Sequence, residues 1–313
     1  MTLLKVGNLS KTYRGEKKAS LEGLDLDIQE HQVFGFLGPN GAGKTTTIKI
    51  LTGLMSPSAG DIFLRGEKMN HRDKKLRSRL GYLGQEPRYY PWMTGEELLI
   101  MVAGLFGQPP EQGKKRAAEL LELTGLTEAR KKRVGAYSGG MVQRLGIAQA
   151  LVNRPEILFL DEPVSALDPL GRKEVLDLIG RLKETTTVFM STHILADVER
   201  VCDRVGILKE GSLIALETTE SLKEKYSPRR KELVFDSGEG CREVSSWLRT
   251  RGVPVLEDCN GTAALSLGDD DYLRIGGDLL AFLASGNIGL QSLTDSTAGL
   301  EEIFINLVGA DHG

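Results

Sequence analysis

The sequence predicts an α/β chain, a parallel sheet covered by helices, followed by a smaller α+β region. Three observations carry this reading. Apolar runs of strand length alternate with helical patterns along the first part of the 313 residues, as a helix-covered parallel sheet requires. One run, Ile157–Leu160, is apolar at every position and ends in two acids, which suits a strand buried on both faces. The charge then changes sign: residues 1–217 hold 31 basic and 27 acidic residues, whereas 218–313 hold 9 basic and 16 acidic. At about 150 residues per domain the length corresponds to roughly two domains. The junction is expected near Thr218–Lys231, where polar and charged residues surround Pro228. This gives domains 1–217 and 218–313, with no internal repeat or low-complexity tract.

In order along the first domain, strands are expected at Leu3–Leu9, Leu24–Ile28 and Gln32–Leu37. A Gly-rich turn follows, then a helix from Lys44 to Thr52. Ile157–Leu160 and Thr186–Ser191 complete the predicted strands, with helical patterns at Gly95–Leu105, Gln112–Thr124, Gly140–Asn153 and Arg172–Lys183. In the second domain, Glu232–Asp236 reads as a strand and Cys241–Arg251 as a helix with Val244, Trp247 and Leu248 on its apolar face. Val253–Leu256 and Ala263–Leu267 read as strands around an Asn260-Gly261 turn, followed by helices at Tyr272–Ala284 and Leu300–Val308.

Composition excludes several classes. With 40% apolar and 27% charged residues the chain can build a core. A net charge of −3 and a pI near 5.9 do not fit a chain that grips nucleic acid by bulk charge, and no nucleic-acid partner is expected. The longest apolar stretch, Leu98–Phe106, is nine residues, against about 20 for a membrane-spanning helix. Met1–Ser10 lacks the basic, apolar and small-residue succession of a signal peptide. Cys202, Cys241 and Cys259 are odd in number without a CxxC pair, which argues against a disulfide framework or zinc site and fits a reducing compartment. The expectation is a cytoplasmic protein; if it works at a membrane, another chain supplies the span.

Three motifs carry chemistry. Gly38-Pro39-Asn40-Gly41-Ala42-Gly43-Lys44-Thr45 fits GxxxxGK[ST] between a predicted strand and a predicted helix. Glycines let such a loop wrap and aim backbone N–H groups inward, and the helix N-terminus adds a positive dipole. Lys44 brings a full charge to β- and γ-phosphates, and the Thr45 hydroxyl suits the hard ion Mg²⁺. The second motif is Asp161-Glu162 at the end of Ile157–Leu160: the first acid is a candidate Mg²⁺ holder and the second a candidate base for an attacking water. The third, Ser138-Gly139-Gly140, opens a helix 23 residues before Asp161. It reads either as a second anion site or as an ordinary Ser cap.

Taken together and in order, these residues resemble the ATP-binding subunit of an ABC transporter over about residues 3–217. Tyr13 stands where the family stacks an aromatic on adenine, and Gly38 to Thr46 match its phosphate loop. Gln85 matches the glutamine loop, Tyr137-Ser138-Gly139-Gly140-Met141 the signature, Asp168 the D-loop and His193 the switch histidine. The resemblance implies a P-loop NTPase with a RecA-like parallel-sheet core and antiparallel β and helical signature subdomains. It makes Glu162, His193 and Gln85 catalytic, and Thr45, Gln85 and Asp161 the Mg²⁺ ligands. It places ATP at Tyr13, Gly38–Thr46, Ser138–Gly140 and Asp168. Two cassettes, a homodimer or a heterodimer, would face head to tail with ATP between them, bound to an integral-membrane permease on the inner face of the membrane. The signature departs from the family at Tyr137 and Met141, where Leu and Gln are usual. The first change reads as apolar for apolar and of little consequence, and the second removes a polar side chain.

The acidic C-terminal part, ending near Gly299-Leu-Glu-Glu-Ile-Phe-Ile, resembles the appendage of type-2 ABC exporter ATPases for drugs, antibiotics and sodium. An importer ATPase is the alternative, and a non-transport ABC ATPase a more distant one. Pro87-Arg-Tyr-Tyr-Pro-Trp92-Met93 clusters aromatics beside Gln85, which suits a docking rim for the membrane subunit or ordinary packing. His31, His71 and His312 read as solvent or packing residues, and Lys131-Lys132-Arg133 as a solvated helix end.

Overall fold

The computed structural model describes residues 1–70, 73–226, 230–258, 261–296 and 300–309. Six residues singled out above, His71, Pro228, Cys259, Asn260, Gly299 and His312, lie outside the described residues. The chain divides into two compact units, Met1–Thr219 and Glu220–Gly313.

In the first unit the mixed apolar and polar N-terminal segments form an antiparallel sheet. β1 (Thr2–Lys11) lies between β2 (Leu21–Gln29) and β4 (Ala59–Leu64), with β5 (Glu67–Lys68) at the edge. The second sheet has six strands in the order β10-β9-β3-β8-β7-β6. Its members are β3 (Val33–Leu37), β6 (Leu80–Leu83), β7 (Ile157–Asp161), β8 (Thr187–Thr192), β9 (Arg204–Lys209) and β10 (Ser212–Thr218). All neighbours are parallel except β10, which returns antiparallel on β9. The three central strands β3, β8 and β7 are buried at every residue, as a sheet covered on both faces demands.

The helices are α1 (Lys44–Leu51), α2 (Lys74–Arg77), α3 (Gly95–Leu105), α4 (Pro110–Leu123), α5 (Gly139–Ala150), α6 (Pro169–Leu182) and α7 (Leu195–Val201). β7 extends one residue beyond the expected Leu160 to include Asp161, and α5 stops at Ala150 instead of Asn153. β4, β5, β6, β9 and β10 were not foreseen, because runs of two to seven residues are too short for periodicity to tell strand from helix or loop. Lys131–Arg133 follow a loop and do not end a helix. Arg133 is instead bridged to Thr94 through the backbone.

One core lies between the two sheets. Phe34 and Phe36 of β3, Phe159 of β7 and Phe189 of β8 are all fully buried there, together with Leu4, Ile28 and Ile48. The register places Phe34, Phe189 and Phe159 on the same level, and the Phe189 ring lies 5.4, 5.2 and 5.3 Å from the rings of Phe34, Phe36 and Phe159. On the opposite face of β3, a Cβ at Gly35 would lie 2.8 Å from Cys202 Sγ at the end of α7. Outside the core, Glu156 accepts hydrogen bonds from Arg65, in the turn between β4 and β5, and from Arg79, just before β6. These bonds fasten the antiparallel sheet to the parallel one.

The second unit is an antiparallel sheet of order β12-β13-β11-β14 with helices on it. Its elements are α8 (Thr219–Tyr226), β11 (Arg230–Phe235), α9 (Gly238–Thr250), β12 (Val255–Asp258), β13 (Ala264–Gly268), α10 (Asp269–Ser285), β14 (Leu290–Ser296) and α11 (Leu300–Gly309). Cys241, Val244 and Leu248 of α9 join Leu279 and Leu283 of α10 over Leu233 and Leu265 of the sheet. Trp247 stacks on Phe282 with centroids 4.9 Å apart. Cys202 is a free, buried thiol, while Cys241 is disulfide-bonded. The odd cysteine count argued against a disulfide framework, yet it leaves room for one bridge.

The aromatic layer sets an expectation for stability. Phe189→Ala removes the ring that the other three share and should destabilise the protein by about 3–5 kcal/mol. Chemical unfolding of the two proteins side by side measures this; a loss below about 1 kcal/mol would show that the layer does not hold the sheets together.

Candidate active site

The strand order brings the site together. β3 runs into the loop Gly38–Gly43, β7 into Glu162 and β8 into His193, and these three strands are neighbours. Binding sites of open parallel sheets lie at the carboxyl ends of the strands. The loop needs glycine at Gly43, whose φ is +107° and where a Cβ would lie 2.6 Å from the Ser20 carbonyl oxygen. It delivers Lys44 as the first residue of α1.

Lys44 and Glu162 are a buried pair. The Lys44 side chain is 6% exposed and donates to the Gly38 carbonyl at 2.7 Å and the Pro39 carbonyl at 3.2 Å. Its Nζ lies 3.4 Å from Glu162 Oε1. The other carboxylate oxygen, Oε2, accepts from His193 Nδ1 at 2.7 Å. Glu162 has φ of +51°, a conformation that costs a non-glycine residue about 1–3 kcal/mol and persists where surroundings fix it. Here the fixing groups are on β8: Glu162 N–H donates to Ser191 Oγ at 3.0 Å.

Ser191 also donates to Asp161 Oδ1 at 2.7 Å, because the β7–β8 register sets Asp161 opposite Ser191. Thr45 Oγ1 donates to the same carboxylate oxygen at 3.2 Å. Ser191 therefore holds both strand-end acids. The sequence reading had taken it only as the end of a strand; its place two residues before His193 was the available signal.

A cleft of about 410 Å³ is lined by Asn40, Gly41, Lys44, Thr45, Gln85 and Glu162, among others. Ser20 and Gly41 border it and also an adjoining cleft of about 510 Å³, whose wall includes Tyr13, Arg14 and Lys18. The Tyr13 ring is 39% exposed, and its hydroxyl is hydrogen-bonded to Thr46 Oγ1 at 3.0 Å. Thus Tyr13, the 38–46 segment, Gln85, Asp161, Glu162 and His193 converge on one region.

Ser138, Gly139, Gly140 and Asp168 do not line that cleft. Ser138 caps α5 by accepting from Met141 N–H at 3.3 Å, and Ser138 and Gly139 face outward. Gly140 packs on Gly171, and Asp168 caps α6 by accepting from Gly171 N–H at 3.2 Å. The Ser138–Gly140 turn and the start of α6 are therefore neighbours, and the Ser138 and Asp168 side chains act as helix caps.

In the aromatic segment Tyr90 and Trp92 are 51% and 65% exposed, with rings 5.0 Å apart. Tyr89 is turned inward, where burial pushes its phenol pKa up. His31, by contrast, is an exposed turn residue with φ of +55°, its ring 3.3 Å from the Lys183 carbonyl.

A glycine loop ending in a buried lysine, beside a strand-end Asp-Glu pair and a histidine, defines the site of a P-loop ATPase. Comparison with known proteins narrows the class. Residues 21–165 match the ABC transporter family. The uncharacterized ABC transporter ATP-binding protein YxlF of Bacillus subtilis is 38% identical over 98% of this chain and 100% of its own length. The bacitracin transport ATP-binding protein BcrA of Bacillus licheniformis is 35% identical over 98% of both. Among solved structures, a dimeric post-hydrolysis state of an ATP-binding cassette bound to ADP and Pi superposes with a TM-score of 0.62 at 27% identity, covering 69% of this chain and 98% of that one. The chain belongs to the family of ABC transporter ATP-binding proteins, and it is an ATP hydrolase of that kind.

The residues present could hold a hard divalent ion such as Mg²⁺. Thr45, Gln85 and Asp161 offer only oxygen donors of the hard type that Mg²⁺ prefers. Among the described residues no group of three or more His, Cys, Asp or Glu forms a self-sufficient cage.

Lys44→Ala should abolish hydrolysis, with phosphate release falling at least about a hundredfold once the phosphate-facing cation is gone. Wild-type turnover from the pure variant would reject the assignment of this cleft.

Proposed function

We propose that this chain is the ATP-hydrolysing subunit of a membrane exporter, working as one of two cassettes that close on ATP. The observation that carries the hydrolytic part is Glu162, held between Lys44 and His193 at the mouth of the phosphate loop. Export is supported by the similarity to the bacitracin transport protein, which spans nearly the whole chain and not the cassette alone. In this reading residues 1–217 are the cassette and 218–313 an accessory domain.

Substrate phosphates enter at the loop, and Lys44 exchanges the Gly38 and Pro39 carbonyls for β- and γ-phosphate oxygens. Thr45, Asp161 and Gln85 would hold a Mg²⁺ ion, which would supply charge neutralisation on those phosphates. The transfer of Lys44 frees Glu162 Oε1 while His193 keeps Oε2. Glu162 then orients a water and takes its proton as the water oxygen bonds to the γ-phosphorus and the bond to ADP breaks. His193 also reaches the γ-phosphate, and Tyr13 stacks on adenine.

The outward-facing Ser138 and Gly139 contact the γ-phosphate bound by the other cassette, with Asp168 beside them. Only the closed dimer makes that contact, so ATP selects the closed form by differential affinity. Hydrolysis removes the shared ligand and reopens it. Each cassette contributes one loop and one signature, so in this scheme a second copy or a sister cassette completes the pair. No helix of the described residues is long and apolar enough to cross a membrane. In the proposed assembly a permease supplies the spans, docking on Tyr90 and Trp92 beside Gln85 and holding the cassette on the inner face.

Two measurements test this. Glu162→Gln should lower turnover by about 10²–10⁴-fold and trap a dimer with ATP and Mg²⁺ in gel filtration. A variant that remains monomeric alongside an active wild type would overturn the sandwich. A multi-span membrane protein should co-purify with the wild type, and the pair in inverted vesicles should drive cargo into the lumen on ATP addition. Movement that depends on an external solute-binding protein would favour the importer.

A further inference from the structure

Tyr137, the first departure from the family's signature, is more than an apolar replacement. Its hydroxyl donates to the Ala129 carbonyl at 2.8 Å. The same oxygen lies against Gly95. Gly95 opens α3, where the first N–H groups of a helix have no partner within the helix. A Cβ at Gly95 would lie 2.6 Å from the hydroxyl but 3.5 Å from the ring carbon that bears it. The phenol group and the missing side chain thus fit one another.

The surrounding backbone makes one block of this region. Val134 N–H donates to the Met93 carbonyl at 2.8 Å, Gly135 N–H to Pro91 at 3.0 Å, and Glu96 N–H to Arg130 at 3.2 Å. Thr94 and Arg133 form an antiparallel bridge. A Cβ at Gly135 would come within 2.9 Å of Pro91 Cβ, so the two strands touch as closely as glycine permits. The block carries the exposed Tyr90–Trp92 pair at one end and Ser138 at the other.

We infer that Tyr137 is a positioning residue for the signature: its hydroxyl locks Ser138–Gly140 to the start of α3 and to the Tyr90–Trp92 segment. Through this lock the docking surface sets where the signature stands when a second cassette closes. The inference rests on the sandwich reading for its consequence, and on the permease reading only for its last step.

The experiment is a double-mutant cycle in the full-length chain between Tyr137→Phe and Gly95→Ala, read by three measurements. ATP affinity is measured by fluorescent-nucleotide binding at low protein concentration, where the Lys44 side alone is sampled. Cassette closure is measured as the ATP-dependent dimerisation constant in the Glu162→Gln background. Turnover is measured with and without the co-purified membrane subunit.

Tyr137→Phe should leave ATP affinity within about twofold while weakening dimerisation and kcat by roughly tenfold, the scale of buried hydrogen-bonding groups left unpaired. Gly95→Ala should do the same. The double variant should be no worse than either single one, because without the hydroxyl the alanine methyl fits. Additive losses, or dimerisation and kcat within twofold of wild type in both single variants, would overturn the lock. Thermal unfolding separates a general loss of stability, which would move ATP affinity as well. Trp92→Ala tests the docking surface apart from the lock: if the membrane subunit still co-purifies, that surface is misassigned. The dimerisation cycle still decides on Tyr137. If the Glu162→Gln protein itself never dimerises, the sandwich reading falls instead.

Discussion

Lys44 and Glu162 are a cation and a carboxylate taken out of water together, and neither can be left alone. Burying an unpaired charge costs several kcal/mol, and removing one member of a buried pair exposes that cost. Lys44 is therefore provided with two carbonyls and Glu162 with a histidine. Each has a second set of partners, so the contact between them can be exchanged without stranding either charge. This is the physical condition for a catalytic carboxylate that waits in a paired state and is released only when phosphate oxygens take the lysine. The remaining features of the cassette serve to hold these groups at the right level.

Holding is done by the parallel sheet. Phosphate loop, acids and histidine come from segments far apart in sequence, yet they leave adjacent strands at the same edge. The β7–β8 register puts Asp161 against Ser191, and the serine reaches both Asp161 and Glu162. Beneath them the Phe34, Phe189 and Phe159 rings repeat the same register as a packed layer. A slip of either strand would displace ring packing and acids at once. The core thus fixes the site to better than one residue, and the uncommon backbone of Glu162 survives because the serine and histidine bonds determine it.

Much of this was legible in the sequence because its signals were local. The GxxxxGK[ST] spacing, the apolar run ending in Asp161-Glu162, and His193 each announce themselves in a few residues. What escaped depends on pairing between distant segments. Ser191 stands two residues before His193, but its hold on both acids depends on pairing with a strand 30 residues away. β6, β9 and β10 are too short for periodicity to mark them alone, although the sheet needs them as its flanks. By residue type alone, Tyr137 reads as one apolar residue in place of another. Its use depends on Gly95, 42 positions earlier, whose lack of a side chain looked like nothing more than a helix start.

The cassette is divided between two kinds of support, and the division has a consequence. The Lys44 side rests on strand ends buried from both faces. The Ser138 side rests on the end of α5 and is tied to Pro91–Met93 at the surface by backbone hydrogen bonds and by the Tyr137 hydroxyl. A ligand can shift an equilibrium only by as much as its affinity differs between the two states. Binding at the Lys44 side alone is common to open and closed forms, so it selects neither. In the proposed dimer, discrimination comes from the contact that Ser138 and Gly139 make with the other cassette. In the proposed assembly a partner protein influences hydrolysis most directly by adjusting the Ser138 side, and the welded 91–96 and 130–137 segments are a route to that side from the exposed aromatic pair. The tyrosine that departs from the usual signature lies on that route.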